Sequence, residues 1–157
     1  MEIEKKYLVK ALPENLDSYP FREITQSYIC RSPVIRLRRI KEAGTESYVL
    51  TVKGDGLTVR QEYELPLTKE QYENLRAKEE GRVLSKTRYL IPLSEDPLRA
   101  GKGLTAEVDL FHGDLSGLQL VEVEFESLEE MEAFVAPDWF GEDVSDSDRY
   151  HNSTLSR

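Results

Sequence analysis

Glu2-Ile3-Glu4-Lys5-Lys6-Tyr7-Leu8-Val9 opens the chain, directly after Met1. In an extended strand, side chains two apart point the same way, so Glu2, Glu4 and Lys6 share one face and Ile3 lies on the other. One such strand is ordinary, because a half-buried antiparallel strand presents a solvated polar face. The reading gains weight outward from this segment, where the pattern recurs six times. Arg36 and Arg38 share a face, and Lys53 stands near the end of its strand. Glu62 pairs in this way with Glu64, Lys86 with Arg88, Glu107 with Asp109 and Glu122 with Glu124. The residues between are mostly apolar: Leu37, Tyr63, Tyr89, Val108, Leu110, Val121, Val123 and Phe125. Like charges in neighbouring slots repel, which a face selected only for stability would avoid. Cations between the carboxylates and a polyanion between the Lys and Arg side chains would neutralise both sets.

Apolar and β-branched runs broken by turn residues place strands at 2–9, 22–31, 33–41, 46–53, 58–66, 83–93, 103–111 and 118–126. Lys53-Gly54-Asp55-Gly56 predicts a hairpin turn. Thr68 with Gln71 predicts a capping box and a helix to about residue 79, stopped by Gly81. Ser127 with Glu130 predicts a second helix to about Val135, ended by Pro137. A short helical turn is expected near 13–19, and loop or short helix from Asp143 onward. If the sheet closes with the charged face inward, its interior is a charged, wet tunnel covered outside by helices. That inverts the usual small barrel, whose interior is filled by apolar side chains. So many buried charges would be very costly without bound ions.

The 157 residues fit one domain, 1–157, with 39% hydrophobic and 32% charged content. Cys30 stands alone, so no internal disulfide forms, and a reducing, cytoplasmic setting is expected. The first ten residues are too charged for a signal peptide, and no apolar run approaches the ~20 residues of a membrane span. The formal net charge of −9 argues against nucleic acid or an anionic membrane as partner. A small polyanion remains compatible. Carboxylates are hard oxygen donors suited to Mg²⁺ or Mn²⁺. Arg forks and Lys point charges suit phosphate oxygens, and phosphoryl transfer needs mainly positioning and charge neutralisation. No Walker-type glycine loop is present, so side chains must do the gripping. His112 and His151 lie far from these positions and are read as surface or hydrogen-bonded residues. Cys30 is read as a packed small hydrophobe, Trp139 and Phe140 as barrel cover, and the acidic stretch 126–132 as solvated surface.

With these residues in order, the chain resembles the CYTH superfamily, the triphosphate tunnel metalloenzymes, in its bacterial branch that is similar to class IV adenylate cyclases and thiamine triphosphatases. The resemblance rests on Glu2-Ile3-Glu4-Lys5-Lys6, Gln26-Ser27-Tyr28, Arg36-Leu37-Arg38, Lys53, Glu62-Tyr63-Glu64, Lys86-Thr87-Arg88-Tyr89, Glu107-Val108-Asp109, Val121-Glu122-Val123-Glu124-Phe125 and the closing Arg149-Tyr150-His151-Asn152. It spans essentially the whole chain. It implies an α+β fold, an eight-stranded antiparallel β-barrel with helices packed outside. It implies a catalytic metal, Mg²⁺ or Mn²⁺, on Glu2, Glu4 and Glu124 with Glu122 close by. Glu107 and Asp109 complete the candidate metal donors. Lys6, Arg36, Arg38, Lys53, Lys86 and Arg88 are implied as phosphate-binding, and Glu62 and Glu64 as a second metal site or the residues that orient water. The catalytic set is thus Glu2, Glu4, Lys6, Glu62 and Glu64. A homodimer is plausible by the same likeness.

The leading function is metal-dependent hydrolysis of the terminal phosphate of inorganic tripolyphosphate, with nucleoside triphosphates as secondary candidate substrates. The alternatives are a class IV-type adenylate cyclase, for which no adenine pocket is legible, a thiamine triphosphatase, and a non-catalytic polyphosphate-binding module. Eight acidic residues beside the cations argue against mere binding.

Overall fold

The computed structural model describes residues 1–56, 58–93 and 103–157. Its strands in chain order are β1 (Glu2–Val9), β2 (Phe21–Arg31), β3 (Val34–Glu42), β4 (Thr45–Lys53), β5 (Val59–Arg60), β6 (Glu62–Leu67), β7 (Glu80–Pro92), β8 (Thr105–Phe111), β9 (Gln119–Phe125) and β10 (Phe140–Asp143). The helices are α1 (Lys69–Arg76), α2 (Leu128–Ala133) and α3 (Asn152–Leu155). All strand pairs described are antiparallel, in the order β10-β1-β9-β8-β7-β2-β3-β4-β6. The ring closes where β5 pairs with β1, Glu2 opposite Arg60 and Ile3 opposite Val59. Gln61 alone separates β5 from β6. Counting β5 and β6 as one interrupted strand gives an eight-stranded, nearly closed barrel, with β10 lying along the same edge of β1 as β5. This is the α+β barrel expected from the sequence. The single strand expected over 58–66 is divided, because one half serves β4 and the other turns to β1.

Local chemistry explains the connections. β3 and β4 join through Ala43 and Gly44, both at positive φ (48° and 81°), the twist a two-residue hairpin requires. α1 opens with the full capping box: Thr68 accepts from the Gln71 N–H and Gln71 accepts from the Thr68 N–H. The helix ends at Arg76, earlier than the pattern suggests, because the Lys78 and Glu79 N–H groups fold back onto the Leu75 and Arg76 carbonyls. Gly81 is therefore no helix stop. It sits in β7 at φ 69°, where a Cβ would collide with the Ser156 carbonyl oxygen. α2 starts on Ser127, which accepts from Glu130 N–H, but Glu130 turns back to the Glu126 N–H and leaves the box half made.

The main apolar core lies outside the barrel. Val108, Val121 and Val123 are fully buried there with Ile3, Tyr7 and Phe125, under Met131, Phe134 and Trp139. Phe125 meets Phe134 edge-on at 5.2 Å, and Trp139 meets Phe140 at 4.6 Å. Trp139 and Phe140 cover the barrel as their sequence suggests. A second contact, Tyr72 on Tyr48 at 4.9 Å, seats α1. Among the described residues, no helix is long and apolar enough to cross a membrane.

Candidate active site

Strand register decides which charges meet. Glu4 lies opposite Glu124 and Lys6 opposite Glu122. Glu122 in turn faces Glu107. Arg88 lies opposite Asp109, Arg38 opposite Gln26, Arg36 opposite Tyr28 and Lys53 opposite Glu62. They surround a cavity of about 240 Å³ whose wall includes Glu2, Glu4, Lys6, Arg36, Arg38, Lys53, Glu62, Glu64, Arg88, Glu107, Glu122 and Glu124. Lys86 and Asp109 share that side of the sheet but lie behind the wall. They form a 2.8 Å ion pair with almost no exposure. Asp109 also holds the Arg88 fork, at 2.7 and 2.9 Å, so both its carboxylate oxygens are engaged.

The carboxylates fall into two groups. Glu2 accepts from Lys53 Nζ at 2.8 Å. Burial alone would raise its carboxyl, but Lys53 holds it below its ordinary value. Glu122 lies 3.5 Å from Lys6 and 3.9 Å from Arg88, and these cations outweigh burial and hold it well below. The Glu4 carboxylate has no hydrogen bond or ion pair among the described residues. Burial, then Glu122 and Glu2, push it up to about 8. Glu124 is raised in the same direction, by burial and then by Glu2 and Glu107. Glu62 is raised too, by burial foremost, although Lys53 stands 3.9 Å away. Among the described residues no three His, Cys, Asp or Glu are drawn together into a ready metal cluster.

The cations are held apart from full neutralisation. Arg38 donates to Gln26 at 3.0 Å, and burial with Arg36 and Arg88 nearby pushes it down to about 9. Arg36 reaches Thr51 at 3.4 Å and Glu62 at a long 4.0 Å, and its Nε is buried without an acceptor among the described residues. Burial pushes Lys86 down to about 7 against the pull of Asp109.

Three basic wall residues are not assigned to the site from sequence. Arg60 shares the parity of Glu62 and Glu64, which is the signal that marks it. Arg22 shares the parity of Gln26 and lines the cavity while bound to Glu42. His151 lines it from the C-terminal tail, where no periodicity exists to reveal it. The tail is pinned by bonds from Lys6 Nζ to the Tyr150 carbonyl (3.0 Å), Arg31 Nε to the Ser153 carbonyl (3.1 Å) and Arg82 Nε to the Leu155 carbonyl (2.7 Å), with Arg31 and the Arg82 N–H also reaching Ser156. Behind it the charged face turns apolar, as Leu84, Phe111 and Leu120 pack with Leu8, Tyr150 and Leu155. The tunnel is thus closed at the tail end. A second opening, bordered by Arg22, Thr105, Glu107, Glu124 and Glu130, adjoins the cavity elsewhere.

No family model matches the chain. It is 40% identical over 156 residues to an inorganic triphosphatase of Nitrosomonas europaea, covering 99% of this chain and 96% of the relative. It is 32% identical over 162 residues to an inorganic triphosphatase of Acetivibrio thermocellus, covering 98% and 92%. A crystal structure of the inorganic triphosphatase NE1496 superposes with a TM-score of 0.66 at 38% identity, over 99% of this chain and 94% of that one. An adenylyl cyclase-like protein from Hippeastrum shares the fold at 14% identity, with a TM-score of 0.60 over 84% of this chain and 83% of that one. With the ordered charged strands, the barrel and these full-length relatives in hand, the chain belongs to the CYTH superfamily of triphosphate tunnel metalloenzymes.

Proposed function

We propose that the chain hydrolyses inorganic tripolyphosphate, releasing orthophosphate from its end, with Mg²⁺ or Mn²⁺ as cofactor and water as nucleophile. One observation carries this reading: cations short of anions and carboxylates short of cations face each other across a single cavity. Each set is completed by one component of a metal–triphosphate complex. Lys6, Arg36, Arg38, Lys53 and Arg88 bind phosphate oxygens, Arg by its fork and Lys by point charge. Lys86 acts from behind, together with Asp109, to fix the Arg88 fork. Asp109, with both oxygens engaged, is assigned to that positioning.

The donor set fits a hard divalent cation: the Glu4 and Glu124 carboxylates make no ion pair among the described residues, and the Glu4 carboxyl near 8 is one that a cation would ionise. Glu2, Glu4, Glu122 and Glu124, with Glu107 beside them, would hold the metal. When bound, it supplies charge neutralisation and Lewis acidity toward phosphate oxygens. Glu62 and Glu64 stand on the Lys53 side and orient the attacking water. Among the described residues, the aromatic rings on the wall are those of Tyr28 and His151. The same reading makes the substrate a small polyanion and the setting cytoplasmic.

The test is phosphate release with Mg²⁺ or Mn²⁺ from tripolyphosphate, ATP and thiamine triphosphate. Orthophosphate from tripolyphosphate is expected. Pyrophosphate with cyclic AMP from ATP would replace the reading by a cyclase. Preference for thiamine triphosphate would change the substrate. Tight binding without turnover would leave a binding module.

A further inference from the structure

We propose that Arg60 and His151, with Lys6, form a seat for the phosphate at the closed end of the tunnel, so that the end of the substrate lodged there must be an unesterified phosphate. The inference rests on the triphosphatase reading of the same cavity and adds to it which end of the substrate is read. Arg60 reaches the wall because β5 closes the barrel against β1, opposite Glu2. Its side chain is only 13% exposed, and its Nε is buried without a hydrogen-bond acceptor. The nearest carboxylate oxygen is Glu2 Oε1 at 3.7 Å, and that oxygen already accepts from Lys53 at 2.8 Å. Arg60 therefore presents a desolvated donor to the cavity, and its ion pair with Glu2 is long and shared with Lys53.

His151 lines the same cavity from the tail. Burial, then Lys6 and Arg60, push its imidazole down to about 4, against the opposing pull of Asp148 and Glu122. It is neutral at neutral pH and offers one N–H. A neutral N–H on the same cavity wall as two cations suits a tetrahedral anion, whose oxygens accept from all three. Beyond the seat, Tyr150 and Leu155 pack on Leu84, Phe111 and Leu120. An ester substituent on the seated phosphate would meet that packed layer and the pinned tail. An inorganic tripolyphosphate has two free ends and fits either way round. A nucleoside triphosphate can enter only γ-end first. A triphosphate esterified at both ends cannot be seated.

The chain's two histidines allow a direct test, because His112 lies on the outer wall bonded to Thr87 at 2.7 Å. Sodium tripolyphosphate is titrated into the metal-stripped protein with chelator present, and the imidazole resonances are followed by NMR. The His151 ring signals should move and saturate, while those of His112 stay put. Diadenosine triphosphate, esterified at both ends, should move neither. Arg60→Gln should weaken tripolyphosphate binding by about tenfold, one charge-assisted hydrogen bond, with an unchanged melting temperature. A stationary His151 in a protein that binds and hydrolyses tripolyphosphate would overturn the seat and leave the function standing. So would an equal response to the doubly esterified compound, or undiminished binding by Arg60→Gln. Failure of the wild type to bind or hydrolyse tripolyphosphate would overturn both.

Discussion

β9 carries both walls of the barrel in alternate residues. Val121 and Val123 are wholly buried on the outside, beneath α2 and its following segment. Glu122 and Glu124 face the cavity. The outer residues are satisfied by packing, and nothing is missing around them. The inner ones are satisfied only in part by one another: among the described residues the Glu4 and Glu124 carboxylates make no ion pair, and Arg36 and Arg60 keep buried donors without acceptors. Neighbouring residues of a single strand therefore divide the work. The outside holds the barrel shut, and the inside awaits ligands. Substitutions on the two walls should separate stability from activity.

The largest effect should follow a break in the outer wall. Val123→Asp places an unpaired charge in a fully buried apolar site, a cost above about 4 kcal/mol, and should unfold the barrel by circular dichroism. Glu122→Gln, one residue away, should leave a cooperative melt. Arg88→Ala sharpens the contrast, because Arg88 belongs to both functions. It strips Asp109 of its fork, so we expect a loss of about 3–5 kcal/mol in urea unfolding together with lost turnover. Arg88→Lys should recover part of the stability and little of the bidentate grip.

A smaller, pH-dependent effect belongs to Glu4. Its folded carboxyl lies near 8, above the unfolded value of 4.5. The folded state thus binds this proton more tightly than the unfolded chain, and the associated stability is complete below pH 4.5 and lost as pH rises toward 8. The metal-free protein should melt roughly 5 °C lower at pH 8 than at pH 5.5 through this group. Glu4→Gln should flatten that dependence, and Mg²⁺ should offset it in the wild type. The smallest effect should come from Thr68→Ala, which breaks the α1 capping box far from the cavity. It should cost about 1 kcal/mol with unchanged turnover.

Much of this division is legible in the sequence, because a strand's period of two sorts inner from outer residues without knowledge of the fold. β1 spans the residues its alternation marks, and Glu2, Glu4 and Lys6 reach the cavity together. The same parity includes Arg60, which like-charged pairs alone pass over. Periodicity also stops short of depth. Lys86 and Asp109 have the inward parity, yet they neutralise each other behind the wall, and Leu84, Phe111 and Leu120 have it while forming an apolar floor. Phe140–Asp143 shows no alternation, so β10 is invisible until its partner β1 is in place. His151 depends on the tail's return across the barrel, which rests on hydrogen bonds from Lys6, Arg31 and Arg82, residues far away in sequence.

The central claim is that the inner wall exists for a metal–triphosphate substrate and not for the fold. Comparing wild type with Glu4→Gln tests it most directly, through orthophosphate release from tripolyphosphate in Mg²⁺ or Mn²⁺ alongside a thermal melt. Loss of turnover by about 100-fold or more, with a melting temperature unchanged or raised, is the predicted result. Full activity in Glu4→Gln, or loss of the folded state in its place, would contradict it.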